Sequence, residues 1–330
     1  MVKDIQRKFV VGVDLGGTKI AVGLFTSEGK LTLQHLQLTG AQEGPQAVIE
    51  NLRQAIFYLV SQAGIGFSQI KGIGVAAAGA IDSHNGVVTL SPNLPGWLNI
   101  PLRKILKDNL GVPVCLMNDA NAAAFGEYLF GAGQNTANLV YITVSTGIGG
   151  GIIINGEVYE GVSGAAGEVG HMTIDINGLA CNCGSNGCLE TLASGSALAR
   201  EARRHIEAGE GLAILEASGG DLAQVSAKTV FLAAQQGDRL AGGLIRQTGR
   251  YLGIGLANLV NIFNPELIIV GGGLSNMGEH LLGPARGVMQ ERAYQVSANA
   301  VRIVPALLGN DSGLIGAAAW VRRQSTGEGL

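Results

Sequence analysis

The sequence predicts an α/β protein built from two related halves, on three observations. The chain has 330 residues, enough for two domains with separate cores. Short, nearly all-apolar runs of strand length alternate with segments of helical period, the pattern of a largely parallel sheet covered by helices. One arrangement also occurs twice. The strand Phe9-Val10-Val11-Gly12-Val13-Asp14 leads through Leu15-Gly16-Gly17-Thr18-Lys19 into a second strand, Ile20 to Phe25. Residues 139–154 repeat this plan, with Ser145-Thr146-Gly147 falling over Asp14-Leu15-Gly16. A duplicated strand–glycine turn–strand suggests two related domains facing each other, with both turns aimed into one cleft.

Composition narrows the class. The chain is 47% apolar and 14% charged with 52 glycines, which marks a globular protein rich in tight turns and excludes a disordered one. A net charge of -3 without a basic stripe gives no electrostatic support to nucleic-acid binding. Residues 1–8 are polar, so no secretory signal is expected. Polar residues interrupt every apolar run before it reaches membrane-spanning length. Three clustered cysteines and a lone Cys115 suggest a reducing, cytoplasmic setting with a metal rather than disulfides.

In the first turn, backbone N–H groups at Gly16 and Gly17 can cradle phosphate oxygens, with Thr18 and Lys19 adding side-chain donors. Asp14 beside it could hold magnesium directly or through water. The turn has neither G-x-x-x-x-G-K-[ST] nor G-x-G-x-x-G spacing, and a plain hairpin is its alternative reading. Residues 45–62 carry Val48, Leu52, Ile56 and Leu59 at helical period. Residues 70–79 form a buried strand running into a bend at Gly79, and Val87 to Leu90 a shorter strand. The loop from Ser91 to Trp97 offers Asn93, equipped either to bind a hydroxyl or to fold the turn. A helix is expected over 101–109 and a strand over 112–117. That strand ends at Asn118-Asp119, which places Asp119 as a helix N-cap. A carboxylate at the carboxyl end of an α/β strand also points to where ligands bind.

The stretch from Glu168 to Glu190 holds Cys181, Cys183 and Cys188 as C-x-C-x4-C, with His171 ten residues before the first. Three thiolates and an imidazole complete a closed tetrahedral set, which reads as a structural zinc site. Buried free thiols or a disulfide are the alternative. Gly184 and Gly187 allow the tight curl. A metal that pins this loop also pins the flanking Glu168, His171 and Glu190 for a polar ligand. Helical scaffold follows over 194–237, interrupted near 218–221, and then a long helix over 238–261 with small residues for close packing. The strand 265–270 runs into Gly271-Gly272-Gly273, where a base or ribose could lie against bare backbone. A last strand at 301–305 precedes a helix capped by Asp311, which crosses back to the first domain.

These motifs together resemble the ROK (repressor, open reading frame, kinase) family of sugar kinases, over about residues 9–322. The resemblance rests on Asp14 to Lys19, Asn118-Asp119, Ser145 to Gly151, Glu168-Val169-Gly170-His171 and the cysteine run ending at Glu190. Residues 164–172 and 189–191 look most like bacterial glucokinases. ROK repressors carry an N-terminal helix-turn-helix domain, and a first catalytic strand beginning by Phe9 is expected to leave no room for one.

The resemblance implies an actin-like (ribonuclease H-like) sugar kinase with a cleft between two domains. The small one comprises residues 1–119 with about 311–330, and the larger one residues 120–310, carrying the zinc loop. It makes Asp119 the general base. It gives sugar binding to Asn118, Glu168, His171 and Glu190, with Asn93 and Gly79. It gives the phosphates of ATP to Gly16, Gly17, Thr18, Lys19, Thr146, Gly147 and Gly149, magnesium to Asp14, and adenosine to Gly271, Gly272 and Gly273. Structural zinc falls to His171, Cys181, Cys183 and Cys188, and the assembly is a homodimer or homotetramer. Glucose is the expected substrate. A different hexose (N-acetylmannosamine, N-acetylglucosamine, fructose or allose), polyphosphate as donor and a non-catalytic sugar sensor stay open.

Overall fold

The computed structural model describes residues 7–326; residues 1–6, within the polar start of the chain, and 327–330 lie outside it. The chain begins with β1 (Phe9–Leu15), β2 (Lys19–Thr26), β3 (Leu31–Leu38), α1 (Pro45–Gln62) and β4 (Ile70–Ala77). Next come β5 (Ala80–Asp82), β6 (Val87–Leu90), β7 (Leu98–Ile100), α2 (Leu102–Leu110), β8 (Val114–Asn118) and α3 (Asp119–Phe130). The plan then restarts with β9 (Leu139–Val144), β10 (Ile148–Ile154) and β11 (Glu157–Val158). After a long loop follow α4 (Leu189–Ala193), α5 (Gly195–Glu207), α6 (Leu212–Ala217), α7 (Ala227–Gln235), α8 (Arg239–Phe263) and β12 (Leu267–Gly271). The chain closes with α9 (Glu279–Arg292), α10 (Gln295–Ala300), β13 (Arg302–Pro305) and α11 (Ser312–Thr326). It divides into two compact units. One contains residues up to Asn135 with Gly151–Gly167 and the segment from Asn310 onward, and the other Thr136–Gly150 with Glu168–Gly309.

Two five-stranded sheets among the described residues have the same order, β3-β2-β1-β4-β8 and β11-β10-β9-β12-β13. The internal echo is therefore a structural duplication. In each sheet the central strands are parallel, β1 with β4 and β4 with β8, β9 with β12 and β12 with β13. Strands covered on both faces must be apolar throughout, and Val10, Val11, Val13, Ile268, Ile269 and Val270 are all buried. This is why those runs were readable as strands.

In the first unit, Val48, Leu52, Ile56 and Leu59 of α1 and Leu102 and Leu106 of α2 join the core on one side of the sheet. Leu314, Ala318 and Val321 of α11 pack with Val10 and Phe25 in a second cluster. α11 is seated closely: a Cβ on Gly74 of β4 would collide with the Ala317 carbonyl, and one on Gly316 with the Ala122 carbonyl of α3. In the second unit, Gly249 and Gly253 of α8 face α9, where a Cβ on either would come within 2.5 Å of the Leu281 or Ala285 carbonyl oxygen. The small residues expected on the long helix serve that packing.

The structure adds elements the sequence reading lacked. β3 is a half-buried strand in which less and more exposed residues alternate, and β5-β6-β7 form a small third sheet of which only β6 was expected. No helix among the described residues is long and apolar enough to cross a membrane.

Candidate functional site

The candidate residues fall into two sets, one in each unit. In the first unit, β8 passes directly into α3. Asn118, not Asp119, is the N-cap: its Oδ1 accepts the N–H groups of Ala120 (2.9 Å) and Asn121 (3.1 Å). The amide also donates to the Gly79 carbonyl at 3.0 Å, tying the end of β8 to the bend after β4. Asp119 is the first helical residue. Its Oδ1 accepts the Ala120 N–H at 2.9 Å, and burial raises its carboxyl above the ordinary range against that hydrogen bond.

Asp14, the residue before the end of β1, is half-buried. Burial, then the Asp119 carboxylate, pushes its carboxyl up to about 7; Lys19 opposes this and Asp311 adds to it. Gly313, in the first turn of α11, faces it, and a Cβ there would lie 3.4 Å from Asp14 Oδ2. Asp311, expected as the cap of α11, sits in the preceding turn and accepts a bond from Gln34 Nε2 at 3.1 Å. A partly desolvated carboxylate among other carboxylates suits a divalent oxygen-seeking cation, so these residues fit magnesium. The turn from Gly16 to Lys19 closes through the Gly16 N–H to the Lys19 carbonyl (3.1 Å). It is braced by buried Thr39, whose hydroxyl donates to Gly16 O (2.7 Å) and whose N–H donates to Thr18 O (3.0 Å). Exposed Asn93 lies over the turn, its carbonyl oxygen 2.8 Å from where a Gly17 Cβ would stand. Thr39 was missed by sequence reasoning, since a lone threonine after a strand carries no signal.

In the second unit, the turn from Ser145 to Gly147 closes through the Ser145 N–H to the Gly147 carbonyl (2.9 Å). Its neighbours come from the zinc-loop motif. Glu190 Oε2 accepts the Ile148 N–H at 2.8 Å. The Gly195 N–H reaches Ser145 O at 2.7 Å and the Ser196 N–H reaches Thr146 O at 3.3 Å. Gly149 follows on β10, partly accessible.

The four expected metal ligands converge. His171 Nδ1 and the three sulfurs all lie within 4.8 Å of one another. Cys181 Sγ is 3.7 Å from His171 Nδ1, and Cys183 Sγ is 3.7 Å from Cys188 Sγ. Zinc with sulfur at about 2.3 Å sets tetrahedral edges of roughly 3.8 Å, whereas a disulfide requires about 2.05 Å; the cysteines are free. Burial, reinforced by the neighbouring thiols, pushes the Cys188 thiol up to about 12, whereas the Ser185 backbone and the neighbouring thiols hold the Cys183 thiol below its ordinary value. The donor set fits zinc. Gly184 and Gly187 have φ of 93° and 61°, as the tight curl demands. His171 Nε2 faces Glu168 Oε2 at 3.7 Å, a carboxylate placed to orient the ring from outside the ligand set. Of the last glycines, Gly271 lies against the Tyr141 hydroxyl and Gly272, at φ 82°, against the Val144 backbone; Gly273 is exposed.

Two repeated sheets, each carrying a glycine turn between an inner strand and its neighbour, with helices packed against them, define the actin-like fold of sugar kinases. The ROK family profile matches residues 10–324, and the chain belongs to that family. A glucokinase of Thermotoga maritima is 36% identical over 318 residues, 96% of this chain and 98% of its own. A xylose repressor of Caldicellulosiruptor bescii is 35% identical over 285 residues, 86% of this chain and 71% of its own. The crystal structure of a Streptomyces griseus glucokinase with glucose and AMPPNP matches with a TM-score of 0.84 at 36% identity, over 96% of this chain and 99% of that one.

Proposed function

We propose that the chain is a cytoplasmic, ATP- and magnesium-dependent glucokinase that phosphorylates the 6-hydroxyl of glucose, with Asp119 as general base. The observation that carries this reading is Asp119 itself, a carboxylate at the start of α3 that burial raises toward the working range of a base. The relatives that are glucokinases along their full length support it.

Phosphoryl transfer asks for in-line positioning and charge neutralisation more than for covalent chemistry. Asp119 takes the proton from the attacking hydroxyl. Glu168, Glu190 and His171, with Asn118, Asn93 and Gly79, hold the remaining hydroxyls, since paired carboxylate acceptors suit a polyol. Backbone N–H groups of Gly17, Thr146, Gly147 and Gly149, in turns shaped by Gly16 and joined by Thr18 and Lys19, hold the donor phosphates, and the segment from Gly271 to Gly273 takes the adenosine. Magnesium beside Asp14 supplies positive charge to the phosphates. Zinc on His171, Cys181, Cys183 and Cys188 is structural. A homodimer or homotetramer is the assembly this reading expects.

The xylose repressor similarity favours one competing reading, a sugar-responsive regulator without turnover. ADP release, measured with ATP, magnesium and a hexose panel, separates the two. Glucose well ahead of N-acetylmannosamine, N-acetylglucosamine, fructose and allose supports the glucokinase. A lead by another hexose keeps the base and changes the pocket around the sugar. Absence of turnover from folded, zinc-loaded protein with either ATP or polyphosphate overturns the kinase and leaves the regulator.

A further inference from the structure

The segment after the last zinc ligand does more than present a carboxylate. Cys188 ends the ligand set, the Leu189 N–H bonds the Met172 carbonyl at 2.8 Å, and Glu190 follows at once. Its Oε2 accepts the Ile148 N–H at 2.8 Å, and a Cβ on Gly147 would collide with that same oxygen. On the other arm of the loop, Gly170 beside His171 lies so close that a Cβ there would collide with the Ile148 carbonyl. The start of α5 holds the remaining carbonyls of the turn, through Gly195 to Ser145 and Ser196 to Thr146. Both arms of the metal loop thus close on one residue, Ile148, next to the turn.

We propose that Glu190 is a positioning residue for the phosphoryl donor, as well as a sugar contact. Through the Ile148 N–H it sets the turn from Ser145 to Gly147, and so couples the sugar site to the donor site. The inference rests on the kinase reading above. Its physical content is a brace and a charge. A carboxylate bonded to a turn N–H fixes the turn through a charge-assisted hydrogen bond. The same negative charge stands beside a site for phosphates and opposes them. A sugar hydroxyl donating to this carboxylate leaves its net charge unchanged, but the O–H dipole offsets part of its field at the phosphates while leaving the brace in place. Sugar and donor therefore bind with positive, reciprocal coupling.

The test is titration of a non-hydrolysable ATP analogue with magnesium into zinc-loaded protein, with and without glucose, with zinc content and thermal midpoint as controls. Without sugar, Glu190→Ala should weaken analogue binding by about 10-fold, the loss of one charge-assisted bond. Glu190→Gln keeps an oxygen for the Ile148 N–H. It should bind the analogue without sugar at least as well as the wild type, yet lose glucose affinity and the coupling. Gly147→Ala, a change in the donor turn, should displace the carboxylate and weaken glucose by about 10-fold. If Glu190→Ala loses glucose while analogue affinity stays at the wild-type value, the carboxylate serves the sugar alone and the proposal falls. It falls equally if Glu190→Gln loses analogue binding as severely as Glu190→Ala. If Glu190→Ala fails to fold or to hold zinc, the wild-type coupling decides together with the glutamine variant: glucose that leaves wild-type analogue affinity unchanged overturns the proposal. Wild-type protein that binds glucose but no nucleotide would instead overturn the kinase reading.

Discussion

At the scale of single residues, Asp119 and Asp14 are the two carboxylates on which the proposed kinase reading rests, and each makes a prediction. Asp119→Asn removes the proposed base while keeping the shape and the Ala120 hydrogen bond. It should lower kcat by about 10²- to 10⁴-fold with glucose affinity within a few-fold of wild type, the usual share of a general base; a wild-type rate would remove Asp119 from that role. For Asp14, the folded carboxyl stands at about 7, above the ordinary value near 4. Between those pH values the folded state holds a proton that the unfolded chain has released. The stability contributed is fully present below about pH 4 and is lost as pH rises toward 7. In magnesium-free buffer, the urea midpoint of wild type should therefore fall between pH 5 and 7.5 relative to that of Asp14→Asn. Parallel curves would show that Asp14 is not the group responsible. The sequence places both carboxylates at strand ends but cannot order Asn118 and Asp119. Both are good caps; in the fold Asn118 caps through the Ala120 and Asn121 N–H groups, while its amide also donates to the Gly79 carbonyl, a contact made only by folding.

At the scale of elements, what could be read in advance depended on whether local pattern and tertiary setting agreed. β1, β4, β9 and β12 are buried on both faces, so their apolar runs identify them from sequence alone. β3 has no fully buried residue and its leucines break the alternation, Leu36 and Leu38 falling on exposed positions; the three-residue strands β5 and β7 are too short for any period to register. The metal loop was legible because its chemistry is local: four ligand types at metal spacing, with glycines at the bends. Cys183→Ser should abolish zinc retention, lower the thermal midpoint and weaken glucose on the order of tenfold to a hundredfold, as small displacements of binding groups do. Unchanged glucose affinity in zinc-free protein would mean that the loop does not position Glu168 and Glu190. Helix seating, by contrast, left no readable period. Gly316 sits where α11 meets α3, and Gly316→Val should cost about 1–3 kcal/mol or more through overpacking, measured by denaturant unfolding; a neutral result would mean α11 can shift without loss.

For the whole molecule, the duplication reaches beyond the strands to the glycine turns, but the two copies are braced differently. The first turn is held by Thr39, a neutral hydroxyl bonded to Gly16 O. The second is held by Glu190, a carboxylate bonded to the Ile148 N–H, and by the start of α5. The sequence shows the repeated turns because glycines and strands repeat; it hides the braces because they come from unrelated segments brought in by each unit's own packing. The asymmetry has a thermodynamic consequence. Thr39→Val keeps shape but leaves the Gly16 carbonyl without its donor, and should weaken nucleotide binding by about 5-fold. The braces share no residue, so, on the proposed reading that both turns serve the donor phosphates, their effects on nucleotide affinity should add in free energy. The double variant Thr39→Val/Glu190→Ala should then lose about 50-fold in sugar-free analogue affinity, the product of the separate losses. A double loss no larger than the Glu190→Ala loss would mean that the first turn contributes to the donor site only when the second is intact, and that the duplicated turns act as one cooperative device rather than two independent ones.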